Sequence, residues 1–489
     1  MLLVAAALAS TPPEAEAAEV RPSPVEDDGF TFLGVVGARA STSNVATTNP
    51  LLNGQLVGEL GGVNTTVTGE DPAPGAEMRV GGFFRYTPPL LDGRAALDAA
   101  FEVDFGFGDT SYSIGGNTGG AFGGDQVNLQ TRRLAVRLRP WAPLTVVAGL
   151  QFVSDGVHDP GAARLDDLFR GGGRLMFFGS EAAGVTAFYA RDVVKARLGL
   201  YTLYELSLVE DDDVALMMAD VQVSPAHAWR VGAHGWWLRD RAGGAAGLLG
   251  EGVTSTLSEM QGGPRLDMRP TEDAAAPAVG ADLVWVGADV GYNPALDMGD
   301  LGATALVITN QGKLYVADLD DWFVSGWLAD AELRWRYTQG EGSVARVELL
   351  ASSADRDDTF RYSGVVTGNS YGIVGAVHGT HGCLLLFPDP RAINRQVAVV
   401  YDVSGGGDGL VAATASVGWD VVPDRLTVGV GGGHARSAAG EPRGTEVNAR
   451  IVGEPFVLGE VGLYAATVTG TALAEDPWTV FLAFDWLVI

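Results

Sequence analysis

One cysteine, Cys383, stands in 489 residues. A lone thiol forms no intramolecular disulfide and completes no cysteine-based zinc site. So thiol-poor a chain suits an oxidising compartment such as the periplasm. Charge is also scarce, at 19% of residues, and basic charge is scarcest: 32 Lys and Arg face 60 Asp and Glu, a net of −28. Phosphate backbones need a basic surface, so nucleic acid is excluded as a partner. Long apolar runs are missing too. Past the first residues no uninterrupted stretch reaches ~20, so no transmembrane helix is indicated. The Gly-rich runs at 171–173, 405–407 and 431–433 lack a following helix and a Lys-Ser/Thr pair, so they are not phosphate loops. There is no G-x-S-x-G elbow. His378, His381 and Cys383 match no zinc spacing and read as incidental loop residues. His158, His227, His234 and His434 are hydrolase candidates by residue type alone. The expectation is no enzyme, no cofactor and no metal.

What is abundant points elsewhere: 68 Gly, 11 Trp, 12 Tyr and 19 Phe suit many strands, tight turns and aromatic girdles. Residues 1–18 read as an export signal, with the apolar run Leu2–Ala9 and small residues at Ala15, Ala17 and Ala18. No positive segment precedes that run, which points to a truncated start. Residues 19–29 then form a periplasmic segment, and 30–489 a single membrane domain.

That domain alternates. In 78–86, Met78, Val80, Phe84 and Tyr86 take turns with Arg79, Gly81 and Arg85. In 97–107, Leu97, Ala99, Phe101, Val103, Phe105 and Phe107 take turns with Asp98, Glu102 and Asp104. Leu333, Trp335 and Tyr337 alternate with Arg334 and Arg336, and Trp478, Val480, Leu482, Phe484, Trp486 and Val488 form one face. Period two puts each set on one side of a sheet.

Short turns at 88–93, 140–143, 224–228, 340–342 and 422–425 interleave with long Gly-, Asp- and Thr-rich stretches at 41–75, 108–124, 154–172, 240–276 and 354–394. This rhythm predicts an all-β, transmembrane, antiparallel up-and-down β-barrel of about 18 strands (16–18), with short periplasmic turns and long extracellular loops. A strand within 288–322 is required chiefly by parity. Residues 395–404 fit either a strand or a folded-in loop. Strands of ten or more residues match a tilted bilayer crossing, and Trp141, Trp236, Trp237, Trp322, Trp327, Trp478 and Trp486 are interface-belt candidates. The last strand has the look of an assembly signal read by the barrel-assembly machinery, although Ile489 replaces the usual terminal Phe.

Acidic residues crowd the connections at 70–77, 209–213, 318–321 and 355–358. Solvated surface is the leading reading of these, ahead of divalent-cation bridging to lipopolysaccharide. Arginines fall mid-strand, opposite the apolar face: Arg79, Arg85, Arg133, Arg137, Arg197, Arg230, Arg334, Arg336, Arg346 and Arg450. Arg at a lipid midplane costs roughly 2–4 kcal/mol, so these should point into a wet lumen. A basic lumen favours anions. Equally, these arginines can pair with Asp98, Glu102, Asp104, Glu205, Glu332 and Glu348 and only brace the wall.

The stretch 126–153 (QVNLQTRRLAVRLRPWAPLTVVAGLQFV) resembles the hairpin of alginate-export-type and phosphate-selective-type outer-membrane porins. Arg132 and Arg133 match its arginine pair, and Gly149 and Gln151 its ending. That resemblance implies a barrel of sixteen to eighteen strands and an anion pathway. The acidic loops depart from the polysaccharide-exporting type, and the rare lysine from the phosphate-selective type. The expected function is passive passage of small anionic or polyhydroxylated solutes, with outer-membrane lipid, lipopolysaccharide and the assembly machinery as partners. The alternative is a non-conducting barrel serving adhesion, structure or an enzymatic scaffold.

Overall fold

A computed structural model describes residues 29–47, 66–89, 93–107, 126–153, 155–157, 180–204, 210–242, 278–316, 321–338, 340–355, 361–366, 382–387, 398–400, 403–456 and 458–488. The export signal, His158, Glu205, His378 and His381 lie outside these residues.

The strands are β1 (Gly29–Thr47), β2 (Thr66–Thr87), β3 (Ala95–Phe107), β4 (Gln126–Trp141), β5 (Leu144–Val153), β6 (Ser180–Arg191), β7 (Val194–Tyr204), β8 (Val214–Ala226), β9 (Trp229–Asp240), β10 (Ala278–Tyr292), β11 (Leu301–Val316), β12 (Trp322–Arg336), β13 (Val344–Ser352), β14 (Arg361–Tyr362), β15 (Leu410–Val422), β16 (Leu426–Arg436), β17 (Pro442–Phe456), β18 (Gly459–Thr469) and β19 (Trp478–Val488). All nineteen belong to one sheet, in which β1 pairs with both β2 and β19. The two-residue β14 runs parallel to β12 beyond the end of β13, and the other eighteen close antiparallel. Closure leaves no unpaired edge, which is what a hydrocarbon environment demands of a sheet.

The wall is apolar outside. Large hydrophobics exposed on its strands include Leu97, Leu134, Val136, Leu198, Leu200, Val286, Val307, Leu349, Val430, Val447 and Leu482. Most of their neighbours in sequence point inward and are buried. Near the ends joined by short turns, Phe30, Tyr86, Trp141, Trp229, Trp335, Trp419, Phe456 and Trp486 stay exposed and form an aromatic girdle. Asp192 and Asp424, at φ 48° and 54°, occupy two of these turns, a left-handed conformation that Asp tolerates. Both sheet termini lie at this end, the periplasmic one by the rule for bacterial barrels.

Several sequence expectations change. The stretch 41–75 is not one long loop: β1 runs to Thr47 and β2 begins at Thr66, so the acidic 70–77 lies within a strand. The Ser, Thr and Gly of this hairpin suit a ladder standing above the lipid, and Thr68 bonds the backbone of Glu475 in the last outer connection. Asn44 ties the seam by donating to Asp476 O (3.0 Å) and accepting from Trp478 N (2.8 Å). Within 288–322 the structure has all of β11, together with the end of β10 and the turn between them. Trp236 and Trp322 are not belt residues. They are 1% and 3% exposed and sit inside, whereas Trp141, Trp237, Trp327 and Trp486 face outward. The physical reason is the connection between β13 and β15. Its Val365, Val366, Cys383, Leu384, Leu385, Leu386, Phe387, Val400 and Val403 are buried in one apolar cluster with the inward faces of β8–β12 and with residues of β5–β7, β13, β15, β16, β18 and β19. The inner wall is therefore apolar there, and 398–400 and 403–404 belong to this folded-in segment rather than to a strand.

Candidate functional site

The barrel interior has two levels. Toward the outside is the apolar layer built by the insert. Below it the inward columns turn polar, as in β12, which reads Trp322, Val324, Gly326, Leu328, then Asp330, Glu332, Arg334, Arg336.

A first polar cluster lies on β2–β4. Arg85 forks onto Asp98 (2.7 and 2.8 Å), and Arg133 approaches the same carboxylate at 3.5 Å. Asp98 is fully buried, as are Arg79, Arg132, Arg133 and Arg137 to within a few per cent. Phe83 lies between the two cations, 5.1 Å from Arg85 and 5.8 Å from Arg133. Arg132 is an addition that alternation did not reveal. The register steps from Ala100↔Arg133 to Phe101↔Thr131, so Arg132 is an extra residue at a bulge. A bulge breaks the period of two and lets consecutive side chains turn to one side. Arg132 lies over Phe152 at 5.9 Å. Glu102 and Asp104 stand in register with Gly81 and Arg79, and their side chains lie outside the described structure.

A second cluster spans β7–β10. Asp220 accepts from Arg197 (2.6 and 2.9 Å), from Trp236 Nε1 (2.9 Å), and meets His234 Nδ1 at 2.8 Å. His234 Nε2 meets Asp289 Oδ1 at 2.9 Å, and Arg230 lies 3.8 Å from the same carboxylate. His234 thus joins two carboxylates across three strands. Gly232 makes this possible, because a Cβ there would overlap Asp289 Oδ1. Arg230 and Asp289 remain partly open, at 37% and 21% side-chain exposure, and form the accessible end of the chain. Next to it Thr186 bridges Gln151 and Tyr201, both at 2.7 Å. Asp155, just past β5, is buried near Arg197, His234 and Asp220, and burial pushes its carboxyl up to about 7.

The remaining sequence-picked arginines brace the wall. Arg334 forks onto Glu332 (2.8 and 2.7 Å) and donates to Pro294 O, while Arg336 donates to Leu296 O. Both hold the β10–β11 turn against the barrel mouth. In register, Glu332 faces Glu348 and Arg334 faces Arg346, an acidic row stacked on a basic one. Arg450 fills space left by Gly429, whose Cβ would lie 2.8 Å from its Nε.

The insert has its own anchor, which the sequence did not reveal. Glu446 accepts from the backbone N–H of Leu384 (2.7 Å), Leu385 (2.9 Å) and Leu386 (2.5 Å), and from Asn448 Nδ2 (2.6 Å). Asn448 also donates to Gly382 O at 2.7 Å. Trp285 Nε1 donates to Val366 O at 2.9 Å from the opposite wall. The run Gly431–Gly433, set aside as a phosphate loop, clears room for this packing: a Cβ on Gly433 would lie 2.9 Å from Cys383 Sγ. Among the described residues no cluster of His, Cys, Asp and Glu could hold a metal.

A closed, even-stranded antiparallel cylinder, apolar outside, girdled by aromatics and charged within, defines a transmembrane β-barrel of the bacterial outer membrane. Among solved structures the chain is similar to Pseudomonas aeruginosa OccK9 (OpdG), at 10% identity and TM-score 0.49 over 94% of this chain and 98% of that one. It is similar to P. aeruginosa OccK5 (OpdH) at 9% and 0.47, and to Acinetobacter baumannii OccAB4 at 9% and 0.45, with the same coverage. No family model and no curated protein sequence matches. At these values the class rests on the wall's own geometry.

Proposed function

We propose that the barrel is a passive channel for small solutes, with anionic solutes preferred, and that the path runs along β2–β4, whose described residues stay out of the insert's apolar cluster. The observation that carries this reading is the division of the interior. The insert shares one apolar cluster with β5–β13 and with β15, β16, β18 and β19, and is latched by Glu446 on β17, whereas the β2–β4 columns hold buried Arg79, Arg85, Arg132, Arg133 and Arg137 around Asp98. Charged walls at low dielectric focus the field and concentrate counter-ions. Arginines gathered in the wall are also what the resemblance to alginate-export and phosphate-selective porins implies. Pairing through Asp98, Asp220 and Glu332 tempers the field, so the selectivity is moderate.

Planar-bilayer recording in a KCl gradient tests it. A reversal potential toward chloride is expected, and a potassium preference would refute the anion reading. One observation favours a second reading, a non-conducting scaffold: the insert's apolar core is continuous with the wall of β8–β12. Deleting 356–402 separates the two. A channel gains conductance, whereas a scaffold is closed before deletion and loses its surface binding after it.

A further inference from the structure

The outward face is apolar over nearly all described wall strands, and one exception is concentrated. Arg239 on β9, Asp282 on β10 and Lys313 on β11 stand side by side. Register sets Arg239 opposite Asp282, Asp282 opposite Lys313, and Lys313 opposite Phe323. They share their columns with exposed Trp237, Val284, Val286 and Val307, so they face the lipid side, at its extracellular end. Arg241 adds a third cation just beyond the row. It bonds Asp282 at 2.6 Å and lies 4.9 Å from the Tyr315 ring, and Tyr315 in turn donates to Asp282 at 2.6 Å. Arg239 meets Asp211 at 2.5 Å, and Lys313 meets Asp321 at 3.3 Å.

Two facts set this row apart from an ordinary rim. The chain has 60 acidic residues against 32 basic, yet three cations, each meeting one aspartate, gather at the ends of β9 and β11 on either side of Asp282. Only two lysines occur in the sequence, Lys195 and Lys313, and one is here. The cations are also accessible, with Lys313 and Arg239 side chains 47% and 40% exposed. Lysine carries three donors and arginine five, so each has donors to spare, even Arg241, which donates to Asp240 O and Ala281 O besides Asp282. Hydrocarbon lies below the row and water above it. A group with negative oxygens at that depth, attached to acyl chains, matches both.

We propose that Arg239, Arg241 and Lys313 bind the phosphate of an outer-leaflet lipid, whose acyl chains lie down the Trp237, Val284 and Val286 columns. The carboxylates of Asp211, Asp282 and Asp321 orient the cations, and the phosphate takes their outward-facing donors as charge-assisted bonds.

The test uses the full chain in detergent, with a bisphosphorylated outer-leaflet glycolipid titrated by native mass spectrometry. Comparison arms are the same lipid dephosphorylated and inorganic phosphate as competitor. R239Q/K313Q should weaken phosphorylated-lipid binding about tenfold or more, ~1.4 kcal/mol, and K313R should keep it. Dephosphorylated lipid should bind wild type no better than it binds the double variant. The proposal fails if the double variant binds like wild type, or if removing the phosphates changes nothing. It also fails if millimolar inorganic phosphate displaces the lipid, which would make this a site for the free ion. K313Q alone alters one exposed 3.3 Å pair and gives the same reading in a folded barrel should the double variant not assemble.

Discussion

Replacing Glu446 with alanine should unseat the insert without opening the barrel wall. The carboxylate accepts three backbone N–H groups from Leu384–Leu386 and the Asn448 amide, all in buried surroundings. Each buried donor left without a partner costs roughly 1–3 kcal/mol. Removing the carboxylate also removes its own burial cost, and water can enter. These offsets reduce the sum to about 3–4 kcal/mol. At ~1.4 kcal/mol per decade, the open fraction of the insert rises by roughly two to three orders of magnitude. Cys383 reports it directly, because it is the sole cysteine, is 1% exposed, and adjoins Leu384. A water-soluble maleimide should label folded wild type slowly and E446A about 100-fold faster or more. E446Q keeps one acceptor oxygen and should fall between, near tenfold. If E446A labels at the wild-type rate while the barrel keeps its heat-dependent gel shift, Glu446 does not hold the insert.

Further outcomes follow from the inner clusters. D98N leaves Arg85 and Arg133 without their carboxylate and should destabilise the barrel by about 3–5 kcal/mol, read as a lower urea midpoint in detergent. G232A drives a Cβ into Asp289 Oδ1 and should break its contact with His234, lowering the melting temperature more than G235A on the same strand, where a Cβ meets nothing nearer than 4.0 Å. The pH dependence of Asp155 has a definite sign. Its folded value, raised from 3.8 to about 7 by burial, means the folded state holds a proton that the unfolded chain has lost. Stability is therefore fullest at low pH and falls as pH rises through that window, by up to about 4 kcal/mol. D155N should flatten the dependence of thermal stability between about pH 4 and 7.

The wall was legible because lipid and lumen impose strict alternation, and Pro, Asp and Gly mark the turns. The inward position of Arg79, Arg85 and Asp98 follows from period two alone. Legibility stopped where something other than lipid or water met the wall. Trp236 and Trp322 were misplaced because the insert makes inner positions apolar, so both faces of β8–β12 lose contrast. Arg132 was missed because one bulge residue shifts the phase. The Asp220–His234–Asp289 chain left a faint mark: Asp220 and Asp289 are single carboxylates opposite apolar Ala219, Val221 and Val290. Its assembly depends on three strands meeting, and a one-dimensional pattern does not contain that. Glu446 could not be found at all, because its partners lie about 60 residues away in a connection without periodicity.

Strand β12 offers the most direct test of a wall with lipid outside and charge within. Single cysteines placed at 329–335 in a Cys383→Ala background are read in vesicles with a charged thiol reagent and with lipid-borne quenchers. Positions 330, 332 and 334 should escape quenching, with 334, the most open of the three, reacting fastest from water, and 329, 331, 333 and 335 should be quenched from the lipid. Uniform behaviour along the strand, or the opposite phase, would contradict the barrel described here.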